Sequence, residues 1–235
     1  MICGLQKMTL LDFPGKIACT VFLGGCNFRC PFCHNSDLLG KDGPAVIPVE
    51  TLMAFLKKRV GLLDAVCITG GEPTLQKDLP ALIRQIKELG YLVKLDTNGS
   101  RPAVLKALVE EKLVDYVAMD IKNSPTGYSK TVGLKNMDMS GVEESIRFLL
   151  EGHVDYELRT TVADELHDVV DMQQMGAWLC TLLPGVKPVR HYIQPYVDRD
   201  SVLTQGLHTP EKPKLLAMAE TLAPYAHLVE IRGMD

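Results

Sequence analysis

The chain has 235 residues, of which 46% are hydrophobic and 23% are charged, and its formal net charge is −4. These values are ordinary for a globular domain, so they exclude a disordered chain, a coiled coil and a collagen-like fibre. With no basic surplus we expect no nucleic-acid partner, and with no apolar run of roughly 18 residues we expect no membrane span. The amino terminus has no signal-peptide pattern, so we expect a cytoplasmic protein.

Apolar segments that are typical of strands alternate along the chain with segments of helical periodicity. The sequence predicts strands over residues 17–23, 65–69, 91–97, 114–121, 156–163, 189–196 and 227–231. It predicts helices over residues 48–60, 78–90, 102–111, 140–152, 169–183 and 209–222. Asp78 is expected to cap the second helix, and Ser140 with Glu143 is expected to form a capping box on the fourth.

About six β/α repeats with apolar strands predict a parallel sheet that helices cover, built as a flat sheet or as a full or partial barrel. No linker or composition break interrupts the pattern, so we expect one domain over residues 1–235. Two connections are long, residues 38–47 and residues 123–140, and long loops in compact domains are usually functional or mobile. We expect the second to be a mobile rim beside a lateral gap in the barrel.

Three of the seven cysteines, Cys26, Cys30 and Cys33, lie within eight residues in the loop after the first predicted strand. Spacings of four and three residues let their thiolates converge on one metal centre, and thiolates select zinc, copper or iron–sulfur clusters. A structural zinc site would need a fourth ligand. His34 is too close in sequence to serve, and Cys19 on the strand is expected in the core. Three ligands on a four-iron cluster leave one iron open for a substrate or cofactor.

The Cys-x3-Cys-x2-Cys spacing, with the aromatic Phe32 before the third cysteine, resembles the signature of the radical S-adenosylmethionine (SAM) superfamily. The resemblance implies a partial (β/α)6 TIM-like barrel and a 4Fe–4S cluster on Cys26, Cys30 and Cys33. In that superfamily the open iron chelates SAM, and one electron cleaves SAM to methionine and a 5′-deoxyadenosyl radical. By the same resemblance Phe32 belongs to the cofactor site.

A second motif, residues 69–74, ends the second predicted strand and contains Gly70, Gly71 and Glu72. Glycines there let the backbone approach a ligand, and Glu72 offers a negative charge to an ammonium group. The motif resembles the superfamily's GGE element, which binds the methionine ammonium of SAM. The resemblance therefore implies that all three residues contact the cofactor.

Charged residues also end the next three strands, with Asp96 and Thr97 on one, Asp120 and Lys122 on the next and Arg159 on the third. Because the carboxyl ends of parallel strands meet at one edge, we expect these side chains in the same pocket. They resemble the DTNG and DxK segments of glycyl-radical-enzyme activating enzymes. The resemblance implies that Asp96, Thr97 and Asp120 hold a monovalent cation, Na⁺ or K⁺, and that Lys122 and Arg159 contact SAM.

Residues 12–16, Asp-Phe-Pro-Gly-Lys, resemble the branch of anaerobic ribonucleoside-triphosphate reductase activating proteins. This implies an oxidoreductase that takes a hydrogen from a glycine of a partner enzyme, with flavodoxin or ferredoxin as electron donor. An anaerobic ribonucleotide reductase is the first candidate partner, and a pyruvate formate-lyase-like enzyme is the second. Val197 stands where pyruvate formate-lyase activators have a ribose-contacting histidine. The alternatives are a small-molecule radical SAM enzyme, such as a 7-carboxy-7-deazaguanine synthase, and a noncatalytic iron–sulfur or zinc module.

Overall fold

The computed structural model describes residues 1–39 and 46–233. Its central element is one eight-stranded sheet in which the strands follow one another in sequence order. The strands are β1 (Ile2–Thr9), β2 (Ala18–Leu23), β3 (Ala65–Gly70), β4 (Leu92–Thr97), β5 (Tyr116–Asp120), β6 (Asp155–Val162), β7 (His191–Pro195) and β8 (Val229–Ile231). From β2 to β8 every neighbouring pair is parallel. No pairing joins β8 to β1 among the described residues, so the sheet is an open barrel.

Helices connect the parallel strands. They are α1 (Val49–Lys57), α2 (Leu79–Glu88), α3 (Pro102–Glu110), α4 (Pro125–Thr131), α5 (Ser140–Leu150), α6 (Val169–Leu182) and α7 (Lys212–Leu222). Each predicted strand and helix has its counterpart here, with ends that differ by a few residues. None of these described helices is both long and apolar enough to cross a membrane.

The two faces of the sheet bury different residues. On β2 and β3 the side chains of Cys19, Val21, Val66 and Ile68 belong to the main apolar core with the helices. Their alternating neighbours, including Ala65 and Cys67, belong to a small separate cluster that Phe13 and Tyr116 complete. Because successive strand residues point to opposite faces, this second cluster marks the inside of the barrel. The expectation that Cys19 is a core residue is confirmed, since it is fully buried.

The structure corrects the sequence prediction at the amino terminus, where β1 was not foreseen. Residues Ile2–Thr9 pair with β2 in the antiparallel sense, with register shifts on either side of a central stretch. Their pattern has three exposed residues in a row and no regular alternation. Its pairing with β2, and not its own pattern, makes this segment a strand.

The connection over residues 123–140 also differs from its prediction. It contains the helix α4, and Tyr128 on that helix is fully buried. The backbone N–H of Arg29 donates to the Val132 carbonyl at 2.8 Å, so this segment packs on the cysteine loop. The open edge of the sheet lies between β8 and β1 instead. The predicted position of this segment beside the gap is therefore wrong. In the other long connection, residues 40–45 lie outside the described residues.

Two predicted helix caps are absent. Asp78 precedes α2 but its side chain makes no capping hydrogen bond. The helix α5 starts after Met139, so Ser140 lies inside it and the predicted capping box with Glu143 does not form. The Glu143 carboxylate instead accepts a hydrogen bond from the Trp178 indole at 3.0 Å. A partner on a distant helix has replaced the local capping bond.

Candidate active site

A partly open cavity of about 210 Å³ lies at the carboxyl ends of the parallel strands. This is the end at which β/α barrels carry their active sites. The cavity brings together eleven of the twelve predicted site residues, which are Cys26, Cys30, Phe32, Cys33, Gly70, Gly71, Asp96, Thr97, Asp120, Lys122 and Arg159. The twelfth, Glu72, is not among the residues that line it.

The cysteine loop follows β2 and forms one wall of the cavity. Cys30 is buried, whereas Cys26 and Cys33 are half-buried. The backbone N–H of Cys33 donates to the Cys30 carbonyl at 3.0 Å, which turns the loop tightly. Burial raises the pKa of the Cys30 thiol to about 12, against an opposing effect of Lys122, and burial also raises the pKa of Cys26. These thiols therefore stay protonated until a metal centre takes them as thiolates.

The donor set fits an iron–sulfur cluster. Among the residues that the structure describes, no three His, Cys, Asp or Glu side chains are close enough to hold a single metal ion. The three thiols line one cavity, and a multi-iron cluster, which is larger than one ion, takes cysteine thiolates as ligands. The Phe28 backbone N–H lies 3.4 Å from Cys26 Sγ, and the Asn98 amide nitrogen lies 4.0 Å from it. Both can donate to a thiolate ligand and would stabilise its negative charge.

The turn after β3 packs directly on the cysteine loop. The Glu72 backbone N–H donates to the Gly25 carbonyl at 2.8 Å. A Cβ on Gly71 would lie 2.1 Å from that carbonyl oxygen, and Gly70 has a φ of +117°. Only glycine gives this close approach and this conformation without strain. The Gly70 carbonyl accepts a hydrogen bond from the Asn35 side chain at 3.1 Å, which ties the turn to the end of the cysteine loop.

Glu72 is buried, at 1% exposure, and its carboxylate binds the protein itself. One oxygen accepts from the Thr97 hydroxyl at 2.8 Å and from the Thr74 backbone N–H at 3.1 Å, and the other accepts from the Asn98 backbone N–H at 2.7 Å. Burial raises the pKa of Glu72, and these hydrogen bonds oppose the rise. The carboxylate therefore joins the turn after β3 to the turn after β4. Its contact with a ligand ammonium stays a prediction.

An ion-pair network forms the opposite wall. The Arg159 guanidinium bridges two carboxylates, lying 2.9 Å from an Asp120 oxygen and 3.2 Å from an Asp96 oxygen. Lys122 Nζ lies 3.0 Å from the other Asp120 oxygen and 5.9 Å from the centre of the Phe32 ring. Burial raises the pKa of Asp120, but Arg159 and Lys122 outweigh it and lower the pKa to about 2. Arg159 is thus a half-buried member of the site and not a surface residue.

Sequence reasoning missed several polar residues of the site. Lys94 is buried beside Asp96 on the inner face of β4. Thr161 and Gln194, at the ends of β6 and β7, line the cavity, as does His34. His34 Nε2 donates to the Val197 carbonyl at 2.7 Å. A histidine of the cysteine loop thus lies beside Val197, the position that the sequence comparison above matched to a histidine of pyruvate formate-lyase activators. The signal for Lys94 was available, because it is a charge inside an apolar strand, two residues before Asp96.

The open parallel barrel, the three-cysteine loop and the charged strand ends thus meet at one cavity, as the sequence predicts. The radical SAM superfamily model matches residues 20–166. The chain therefore belongs to the radical SAM superfamily, and the predicted superfamily and partial-barrel fold are confirmed.

Three comparisons describe its relatives. The chain is 35% identical over 246 aligned positions to a protein of Methanocaldococcus jannaschii that is assigned by name to the glycyl-radical enzyme activating enzymes, with 100% of this chain and 97% of that protein covered. It is 29% identical over 202 positions to a 7-carboxy-7-deazaguanine synthase of Thermococcus kodakarensis, covering 77% and 75% of the two chains. A crystal structure of Streptococcus suis SuiB shares the fold with a TM-score of 0.69 at 15% identity, covering 91% of this chain and 48% of that one.

Proposed function

We propose that this enzyme activates a glycyl radical enzyme by taking a hydrogen atom from a glycine of that partner. The observation that carries the proposal is the relative of matching length, which is named as an activating enzyme of this kind and aligns along the whole chain. The cavity supports the proposal, because the residues that the family signature assigns to cluster and SAM binding, Glu72 excepted, lie together there.

The roles of the chain's own residues follow from their positions. Cys26, Cys30 and Cys33 would hold the 4Fe–4S cluster, which supplies the electron for the reductive cleavage of SAM. Lys122 and Arg159 place two positive charges on the cavity wall. Such charges suit the SAM carboxylate, since charge-assisted hydrogen bonds are the strong ones.

Other parts of the wall would serve the cofactor in other ways. Gly70 and Gly71 line the cavity and would offer backbone groups to a ligand, while the absence of their side chains lets the Leu23 and Gly25 backbone pack against them. Phe28 and Phe32 line the cavity and are themselves buried. Apolar rings in these positions keep water from the reacting groups, as a site for reactive intermediates requires.

We propose an anaerobic ribonucleotide reductase as the partner and a flavodoxin or a ferredoxin as the electron donor. The Asp-Phe-Pro-Gly-Lys segment, residues 12–16, supports this choice of partner. In the structure Phe13 of that segment is buried inside the barrel against Tyr116, with ring centres 5.6 Å apart. The segment thus helps close the amino-terminal end of the barrel. It supports the choice of family branch but takes no part in the reaction.

Electron paramagnetic resonance tests the proposal. The protein is reconstituted anaerobically with iron and sulfide, reduced, and mixed with SAM and the candidate reductase. We expect the doublet signal of a glycyl radical, and no doublet when the reductase carries alanine at the radical glycine. A short peptide that copies the glycine loop should give a weaker signal, because the binding energy of the folded partner is missing.

The small-molecule alternative rests on the similarity to a 7-carboxy-7-deazaguanine synthase. It predicts SAM cleavage with a small nucleobase-like substrate, without a protein partner, and with a requirement for Mg²⁺. If no glycyl radical enzyme of the same cell gives a doublet and such a substrate is turned over, this alternative replaces the activating function.

A further inference from the structure

Lys94 is a lysine buried inside the barrel, at 1% exposure, in an otherwise apolar stretch of β4. Its Nζ pairs with one oxygen of Asp96 at 2.5 Å. Strand alternation places both residues on the inner face, with Lys94 two residues nearer the amino end of the strand. Lys94 is not among the residues that line the cavity. It therefore lies behind Asp96, where a cofactor would not touch it.

The predicted cation site is already filled by positive side chains. The second oxygen of Asp96 binds Arg159, and the two oxygens of Asp120 bind Arg159 and Lys122. Each of the four carboxylate oxygens thus has a cationic partner. Three positive groups therefore hold the two carboxylates.

The third predicted cation ligand is engaged as well. The Thr97 hydroxyl donates to Glu72 at 2.8 Å, and its oxygen accepts from the Gly99 backbone N–H at 3.1 Å. A hard metal cation needs several free oxygen ligands, which Asp96, Thr97 and Asp120 do not offer here. A further cation would also lie close to the three positive groups that already hold these carboxylates, and like charges repel. The residues present therefore do not fit Na⁺ or K⁺.

We propose that the Lys94 ammonium takes the place of a monovalent metal cation at Asp96, so that SAM binding to this enzyme requires neither Na⁺ nor K⁺. The inference rests on the proposed binding of SAM in this cavity. Arg159 and Lys122 lie on the cavity wall and have further N–H groups that can donate to a ligand carboxylate while they keep Asp96 and Asp120. Lys94 does not line the cavity. Lys94 remains as the fixed counter-charge of Asp96 and acts as a positioning residue.

The test measures SAM affinity in different salts. The reconstituted, unreduced protein is dialysed to equilibrium against SAM under anaerobic conditions in tetramethylammonium chloride, NaCl or KCl at equal ionic strength. We expect the wild-type Kd to agree within about threefold in the three salts. A Kd that is lower in NaCl or KCl by more than about threefold would overturn the inference.

A variant tests the role of Lys94 itself. In Lys94→Met we expect the affinity in tetramethylammonium to fall about tenfold or more, as expected for loss of a charged partner. NaCl or KCl should restore most of it, because a metal ion can then occupy the vacated place beside Asp96. Lys87→Met is the matched control, since Lys87 also pairs with an aspartate, Asp115 at 2.7 Å, but away from the cavity. The control should bind SAM like the wild type in every salt.

Other results of the Lys94→Met experiment would contradict the inference. A Lys94→Met protein with wild-type affinity in all salts, or with an affinity loss that no metal cation restores, would contradict the role given to Lys94. If that variant does not fold, Lys94→Gln replaces it, and the wild-type comparison decides independently. Absence of SAM binding in every salt would contradict the proposed function itself, an outcome distinct from cation-dependent binding.

Discussion

The substitution Glu72→Gln separates two roles for this carboxylate, contact with SAM or support of the two turns. The carboxylate accepts the three hydrogen bonds described above and a fourth from the Thr74 hydroxyl, and an amide cannot reproduce all four. Whichever way it turns, its NH₂ group faces one backbone N–H, that of Asn98 or that of Thr74, which now lie 2.7 Å and 3.1 Å from carboxylate oxygens. A buried donor left without an acceptor costs about 1–3 kcal/mol.

We take a loss of about 2 kcal/mol in the free energy of unfolding, and a fall of about 2–4 °C in melting temperature per kcal/mol for a chain of this size. The melting temperature should then fall by roughly 4–8 °C. SAM affinity should fall only modestly, by less than about tenfold, through displacement of the turns. Differential scanning calorimetry and anaerobic equilibrium dialysis measure the two quantities on the same preparations. Thr97→Val removes a hydroxyl that donates to the same carboxylate. The double variant should therefore lose less stability than the sum of the singles.

A contrary result is easily recognised. If Glu72→Gln melts at the wild-type temperature and its SAM affinity falls tenfold or more, the carboxylate acts directly on the ligand. The reading of Glu72 as a link between two turns would then be wrong.

Three further predictions concern the cluster loop and the ion-pair network. Alanine variants of Cys26, Cys30 and Cys33, made singly, should lose most bound iron and sulfide after anaerobic reconstitution. The control variant Cys180→Ala should keep both. The assignment fails if the control loses its iron and one of the three variants keeps it. Gly71→Ala should lower the iron content as well, because its Cβ would lie 2.1 Å from the Gly25 carbonyl and push the cysteine loop aside; iron at the wild-type level would argue against that coupling. Asp120, whose pKa is lowered to about 2 from 3.8, should stabilise the fold fully above about pH 4 and lose this contribution as the pH falls toward 2. Urea unfolding should show a wild-type advantage over Asp120→Asn at pH 6 that shrinks across that window, and a constant difference would refute the network.

Much of the site could be predicted because its residues end neighbouring parallel strands. Asp96 and Arg159 are 63 positions apart in sequence, yet they meet at 3.2 Å. The meeting follows from the order of the strands, which the alternating β/α pattern predicts. The cysteine loop was predictable for a local reason, since its three ligands lie within eight residues.

The parts that could not be predicted depend on contacts distant in sequence. The strand β1 exists through its pairing with β2, and its own pattern carries little signal. The helix α4 contains Gly127 and two threonines, which disfavour helix, and the complete burial of Tyr128 outweighs that preference. For Glu72 the sequence shows that a charge is present but not which group it binds. Three of its donors come from Thr97, Asn98 and the following turn, and only the folded chain brings them together.

The most direct test of the proposed activity follows the hydrogen atom. The candidate reductase is prepared with glycine deuterated at the α-carbon and incubated anaerobically with the reduced enzyme and SAM, and 5′-deoxyadenosine is analysed by mass spectrometry. The proposal predicts that deuterium from the partner appears in 5′-deoxyadenosine together with the glycyl radical signal. If 5′-deoxyadenosine forms without deuterium and no glycyl radical appears, the activating function is contradicted.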